Sequence, residues 1–137
     1  MQKGFTLIEL LIVIAIIGIL AAVVFNSLGD ARQLGIETKI KGEMDMLRKV
    51  ASLEESTSLT YDTVCGSNGF STSTKILELI ASIERFASSS VVCNSSTTEF
   101  AVSIDLPFTD YWCVDSTGKS QAATAQLNVS PPQLVCP

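Results

Sequence analysis

Residues 4–9 read Gly-Phe-Thr-Leu-Ile-Glu, and they open an apolar run that extends to Phe25. Between Leu10 and Phe25 there is no charged residue and no proline, and Gly18 is the only glycine. An α-helix over residues 5–25, rising ~1.5 Å per residue, is about 30 Å long, which matches the hydrocarbon thickness of a bilayer. The sequence therefore predicts a membrane-spanning helix at residues 5–25.

The order of charges around this run argues against a secretory signal peptide. A signal peptide places its cleavage site after the apolar segment and carries no acid inside it. Here Lys3 precedes the run, Glu9 lies within it, and the chain continues through residues 26–32 with helical character. The cation before the span favours an N-terminus in the cytoplasm.

The segment Lys3-Gly-Phe-Thr-Leu-Ile-Glu9 resembles the N-terminus of type IV pilins and pseudopilins. In that family a prepilin peptidase cuts between the Gly and the Phe, before the apolar segment, and the new N-terminal Phe is methylated. The resemblance implies a leader peptide at residues 1–4, cleavage between Gly4 and Phe5, N-methylation of Phe5, and an assembly role for Glu9. The close match covers Lys3 to Val24, and the remainder agrees only in architecture.

The free-energy cost of placing the Glu9 carboxylate in a membrane independently supports an assembly role for this residue. A charged group at bilayer depth costs about 2.5–3.5 kcal/mol on insertion scales, so it needs a partner. No Lys, Arg or His lies between Gly4 and Asp30. The freed amine of Phe5 in a neighbouring copy can be that partner, and such a pairing away from water sets a register between subunits. The alternative is that Glu9 lies near the membrane interface, hydrated or protonated.

Composition excludes several function classes. The 137 residues carry a net charge of −5, which does not suggest nucleic-acid binding through a basic surface. The absence of His removes the usual general base and the commonest metal ligand, so we predict no enzyme activity, no cofactor and no metal. Carboxylate oxygens are ligands that calcium prefers, and three aspartates lie close together in sequence, at Asp105, Asp110 and Asp115. Their spacing matches no recognised calcium loop.

All four cysteines lie beyond the apolar run, at Cys65, Cys93, Cys113 and Cys136. An even number on the outer side of a membrane indicates two disulfides, and the lack of a Cys-x-x-Cys pair argues against zinc. Of the three possible pairings we favour Cys65–Cys93, which ties the ends of a helical segment, and Cys113–Cys136, which ties the tail to the sheet. Buried free thiols are the alternative.

Residues 26–58 are predicted to continue the helix in amphipathic form. Apolar side chains recur at spacings of three and four, which marks one stripe of a helix. The stripe comprises Ile36, Ile40, Met44, Leu47 and Ala51. Charges of both signs fill the other positions, as on a solvated helix face.

Residues 59–137 are predicted to form a globular domain with a second helix and an antiparallel sheet. A loop at residues 61–73 precedes the helix at about residues 75–88, and a Ser/Thr/Asn run follows the helix. The alternation at residues 99–106 is typical of a half-buried strand, and two further strands follow at 111–114 and 119–127, joined by a turn at 115–118. Short connections make the sheet antiparallel. The fold class is thus α+β, a long N-terminal helix packed on a small C-terminal sheet, as the resemblance also implies.

Two smaller patterns concern the surface of this domain. Tyr111 and Trp112 are adjacent on a strand and point to opposite faces, so we expect one in the core and consider the other a candidate for an exposed ring that contacts a ligand or neighbour. Asn94-Ser-Ser and Asn128-Val-Ser match the glycosylation sequon.

The resemblance implies a structural subunit, the major pilin of a type IV pilus, which is assembled into an extracellular helical filament. Its partners are then identical subunits, the prepilin peptidase/methylase, the pilus assembly machinery and membrane lipid. It spans the inner or cytoplasmic membrane once before assembly and lies in a surface pilus afterwards. The alternatives are a minor pilin or pseudopilin of a type II secretion or DNA-uptake machine, and a monomeric membrane-anchored binding domain for carbohydrate or DNA.

Overall fold

The computed structural model describes residues 4–87 and 89–137, with only the backbone for Asn26, and the chain divides into two compact units after Leu34. Of the predicted leader peptide, residues 1–3 lie outside the described part. The elements in chain order are α1 (Leu7–Ser58), α2 (Asp62–Cys65), α3 (Thr74–Ala87), β1 (Val92–Ser95), β2 (Phe100–Asp105), β3 (Tyr111–Asp115) and β4 (Ser120–Ala123). The four strands form one antiparallel sheet in the order β1-β2-β3-β4.

The first unit contains the apolar part of α1. Its large side chains are exposed along the whole run from Phe5 to Phe25. By length and composition α1 can cross a membrane. A continuous apolar surface of this extent is far larger than the patches that soluble monomers expose, so it marks an interaction with lipid or protein.

The second unit has its core between α1, α3 and one face of the sheet. Ile40, Met44, Leu47 and Ala51 are fully buried, and Ile36 packs against them. They meet β2 and β3 through Phe100, Val102, Ile104 and Val114, and α3 through Ile76 and Ile83. Each large side chain buried here contributes about 1.5–3 kcal/mol. The predicted α+β fold and the predicted helical stripe are confirmed.

The opposite face of the sheet is also covered, which the sequence pattern did not predict. The C-terminal tail brings Leu127 and Cys136 against Ala101 and Cys113. Ser103, expected on the solvent side of a half-buried strand, is fully buried, and its hydroxyl accepts a hydrogen bond from Leu127 N at 3.1 Å. The prediction of a half-buried strand was wrong because the tail folds back over this face.

Residues 61–73, predicted as a loop, contain the short helix α2, which is organised around the carboxylate of Asp62. Asp62 is only 3% exposed and accepts hydrogen bonds from the hydroxyls of Thr60 and Ser67 at 2.8 and 2.7 Å. Asn68 Nδ2 and the Thr97 hydroxyl donate to it at 2.9 and 3.3 Å. The hydrogen bond from Ser67 contributes most to lowering the pKa of Asp62, and together these donors outweigh the opposing effect of burial.

The Ser/Thr/Asn run contains the strand β1, which the sequence analysis missed. Asn94 is buried, and its side-chain amide donates to the carbonyl oxygens of Asn128 and Gln133 at 2.8 and 2.9 Å. These bonds connect β1 to the C-terminal tail. They also occupy the Asn94 amide, so this sequon is closed to glycosylation in the folded chain, whereas Asn128 is exposed.

A second buried carboxylate, Asp115, closes the β3–β4 hairpin at the predicted turn. Its Oδ1 accepts hydrogen bonds from Thr117 N at 2.9 Å, from the Thr117 hydroxyl at 2.6 Å and from Lys119 N at 3.2 Å. Its Oδ2 accepts from Cys136 N at 2.9 Å, so one side chain connects the turn to the tail. Burial raises the pKa of Asp115, but these four hydrogen bonds outweigh it and hold the pKa below its ordinary value.

We predict that the second unit loses stability in acid because of Asp62 and Asp115. Both carboxyls have a folded-state pKa below the unfolded value of about 3.9, so their stabilising contribution is present above that pH. It is lost as the pH falls through the folded-state values. Urea unfolding of the full chain in micelles, followed from about pH 7 to about pH 3, should show the midpoint falling mainly below about pH 4. An unfolding midpoint that stays constant across this range would contradict the prediction.

Candidate functional site

Glu9, which the sequence analysis singled out, lies in the first turn of α1, and Gly4, Phe5 and Thr6 precede the helix. Thr6 N and the Thr6 hydroxyl donate to Glu9 Oε2 at 2.9 and 2.7 Å. Glu9 N donates to Thr6 Oγ1 at 3.4 Å in return. This is a capping box, in which the residue before the helix and the third helical residue satisfy each other's free N–H groups.

The capping box gives Glu9 a role within its own chain. Its carboxylate receives two hydrogen bonds and lies at the positive end of the helix macrodipole, both of which stabilise its charge. The sequence analysis named Glu9 but missed Thr6. The Thr-x-x-Glu spacing is the signal that could have identified it.

Lys3 lies outside the described residues, and the next cation along the chain is far from Glu9. The first cationic residue after Lys3 is Arg32, which is about 35 Å from Glu9 along the axis of a straight helix. That distance is well beyond any ion pair within the helix. The predicted contact between Glu9 and the Phe5 amine of another copy stays a prediction.

The cysteines lie in the second unit as two disulfides. Cys65 at the end of α2 is bonded to Cys93 on β1, and Cys113 on β3 is bonded to Cys136 in the tail. This is the pairing that the sequence analysis favoured. Cys113 and Cys136 are buried, whereas the other pair is half-buried. In a unit of about 100 residues each such link contributes on the order of 3 kcal/mol in the chain-entropy model.

The three aspartates considered as a calcium site do not come together. Asp115 pairs with Ala101 at one end of β2, while Asp105 pairs with Tyr111 at the other end. Among the residues that the structure describes, no three His, Cys, Asp or Glu side chains are placed to share a metal ion. Both oxygens of Asp115 are occupied by its own chain.

Comparison with known proteins identifies the N-terminal segment. A family model described as the prokaryotic N-terminal methylation motif matches residues 1–25. The type IV major alpha-pilin of Moraxella bovis is 56% identical over 43 residues, which cover 31% of this chain and 27% of that protein. Fimbrial protein Q of the same organism matches with the same identity and coverage. The chain thus carries the N-terminal methylation motif and is similar to type IV pilins over 43 residues.

The family motif covers only the N-terminal part of the chain, and the matched segment is a short part of each relative. This chain spans about a quarter, 27%, of the length of the two curated pilins that it matches. No solved structure matches it. The family match includes the capping box of α1 and ends before the second unit begins.

Both aromatic residues of β3 are half-buried, so neither is the exposed ring that the sequence analysis considered. Trp112 packs against the core, donates from Nε1 to the Ser120 hydroxyl at 3.3 Å, and lies with its ring 5.0 Å from Lys41 Nζ. Tyr111 packs against the cluster on the opposite face of the sheet. The reason is again the tail, which covers the face that Tyr111 occupies.

We predict that Thr6→Val loosens the first turn of α1. Valine keeps the shape of threonine but loses the hydroxyl, and loss of an N-cap costs about 1 kcal/mol. Amide hydrogen exchange at residues 7–10, measured on the full chain in micelles, should become faster by about fivefold. Thr6→Ser keeps the hydroxyl and should exchange at the original rate. Equal exchange in the valine variant would show that the capping box does not stabilise this turn.

Proposed function

We propose that this chain is the major structural subunit of a type IV pilus. It is anchored in the membrane by residues 5–25 and then packs into an extracellular helical filament. The observation that carries the proposal is the exposed apolar surface of α1 with a single carboxylate, Glu9, in its first turn. The names of the two Moraxella bovis relatives, a major pilin and a fimbrial protein, support it.

Processing by a prepilin peptidase/methylase creates the group that assembly needs. Cleavage between Gly4 and Phe5 removes the leader peptide and leaves a positively charged, methylated amine on Phe5. This amine lies one residue before Thr6, the N-cap of α1. A cation at the start of one helix can therefore approach the carboxylate in the first turn of another.

In the proposed assembly step, Glu9 exchanges partners. In the single chain, Thr6 supplies two hydrogen bonds to the carboxylate, which reduces the cost of keeping a charge in lipid. In the filament, the Phe5 amine of a neighbouring copy neutralises the charge and fixes the register between helices. The assembly machinery in the membrane moves subunits between these two states, and lateral burial of residues 7–25 keeps this surface from water once the subunit leaves lipid.

The rest of the chain serves as the outer part of the filament. Residues 26–58 continue the helix, and residues 59–137 form the domain that faces outward, with two disulfides suited to an oxidising exterior. The role is structural rather than enzymatic, in line with the family. A minor pilin or pseudopilin of a secretion or DNA-uptake machine shares these features, and abundance in filaments distinguishes it from a major pilin.

The proposal is tested by N-terminal sequencing and intact-mass analysis of filaments sheared from the cell surface. We expect a dominant subunit that begins with N-methyl-Phe5. A subunit that is correctly processed but scarce in the filaments indicates a minor pilin or pseudopilin. A product that keeps Met1, or that is trimmed beyond Phe25 and released as a monomer, contradicts the proposal.

A further inference from the structure

A polar cleft of about 370 Å³ lies in the second unit, between the C-terminal end of α1, the short helix α2 and the start of α3. It is an open depression rather than an enclosed cavity, whereas small-molecule sites of roughly 300–1,000 Å³ usually enclose their ligand and are lined by apolar side chains. Here every lining residue is polar or charged. They are Glu54, Thr57, Ser58, Thr63, Ser71, Ser73 and Lys75.

Three of the hydroxyls in this polar cleft donate their protons to Glu54. Thr57 Oγ1 and Ser58 Oγ donate to the Glu54 carbonyl oxygen at 2.9 and 2.8 Å, and Ser73 Oγ donates to Glu54 Oε1. Each hydroxyl has one proton and two lone pairs. These three oxygens, together with Glu54 Oε2, therefore offer acceptors to anything that enters.

The same cleft also supplies hydrogen-bond donors. Lys75 contributes an ammonium group with three N–H bonds. The Thr63 hydroxyl is shielded from water and has no hydrogen-bond partner among the described residues. Because it is shielded, this hydroxyl is not among the donors that face a ligand.

We propose that this polar cleft binds a neutral, hydroxyl-rich ligand, namely a single sugar unit. Each sugar hydroxyl both donates and accepts, which matches a wall of acceptors next to an ammonium group. The opposite charges of Glu54 and Lys75 disfavour a simple ion, because an anion meets the carboxylate and a cation meets the ammonium. Sugar binding goes beyond the structural role proposed above and does not depend on filament formation.

The test uses the full chain in a detergent whose headgroup is not a sugar. Methyl glycosides of glucose, galactose and N-acetylglucosamine are titrated separately, and the backbone amide signals of the cleft residues are followed by NMR. We expect saturable shifts at Thr63, Ser71 and Lys75 with at least one glycoside. Glu54→Gln and Lys75→Met should each weaken that binding by at least about tenfold. Glu55→Gln and Lys49→Met make the same chemical changes outside the cleft and should bind normally.

The melting temperature distinguishes a binding role from a structural one. Lys75 is exposed, so Lys75→Met should weaken sugar binding while the melting temperature does not fall. Thr63→Val is a further control, because the hydroxyl that it removes is shielded from water and its loss should leave sugar binding unchanged. The proposal is overturned if no glycoside gives saturable shifts, or if the Glu54 and Lys75 variants bind as well as the original chain. It is also overturned if inorganic phosphate displaces the glycoside from the cleft, because the site then recognises anions.

Discussion

Replacing Glu9 by Leu is expected to abolish filaments while the protein still enters the membrane. Leucine removes the cost of a charge in lipid, about 2.5–3.5 kcal/mol, so insertion is favoured. In the filament the Phe5 amine of the neighbouring copy would lose its partner, and breaking a buried ion pair in this way costs about 3–5 kcal/mol. That penalty weakens each subunit contact by more than about a hundredfold. Immunoblots of sheared filaments and of the membrane fraction measure the two outcomes separately.

Glu9→Gln separates the charge of Glu9 from its part in the capping box. Glutamine also completes a capping box with Thr6, but it cannot neutralise an amine. If pairing with the Phe5 amine drives assembly, the glutamine variant should lack filaments as the leucine variant does. Normal filament yield from Glu9→Gln would contradict the pairing and would leave Glu9 with the capping role alone.

Asp115→Asn is expected to give a large loss of folding stability in the second unit. The carboxylate is fully buried and accepts four hydrogen bonds, from Thr117, Lys119 and Cys136. In asparagine one acceptor oxygen becomes an NH₂ group, which must face N–H or O–H donors and leaves at least one of them unpaired. Hydrogen bonds to charged groups contribute about 1.5–3 kcal/mol, so we expect the free energy of unfolding to fall by about 3 kcal/mol.

Denaturant unfolding at neutral pH, with the disulfides intact, measures this loss. Asp110→Asn is the matched control, because Asp110 is exposed and its change should alter the free energy of unfolding by less than about 0.5 kcal/mol. The acid sensitivity of the unfolding midpoint should also become smaller in Asp115→Asn, since one of the two carboxyls with a lowered pKa is gone. Equal stability of the two variants would show that Asp115 does not hold the tail to the hairpin.

Much of the fold could be predicted because apolar periodicity is a local signal. The stripe from Ile36 to Ala51 marked the buried face of α1, and the alternation from Phe100 to Ile104 marked the strand that packs against it. The pairing of Cys113 with Cys136 followed from the need to tie a short tail to the sheet. Glu9 was recognisable since a charge in an apolar run is costly wherever it occurs.

Other features depend on polar groups that meet only after the chain has folded. Helix α2 forms around Asp62, whose donors include Thr97, 35 residues further along the chain, and β1 is joined to the tail through Asn94. Each of these elements is four residues long, too short to show an apolar period from which a helix or strand could be predicted.

The sequence by itself determined the membrane-length helix, its lone acid, the α+β class and the stripe that faces the sheet. The tertiary structure alone decided that the tail covers the second face of the sheet, that Asp115 is buried, and that hydroxyls from α1, α2 and α3 line one cleft. The physical reason is the range of the interactions. Apolar periodicity is local along the chain, whereas a buried carboxylate needs donors that distant segments supply.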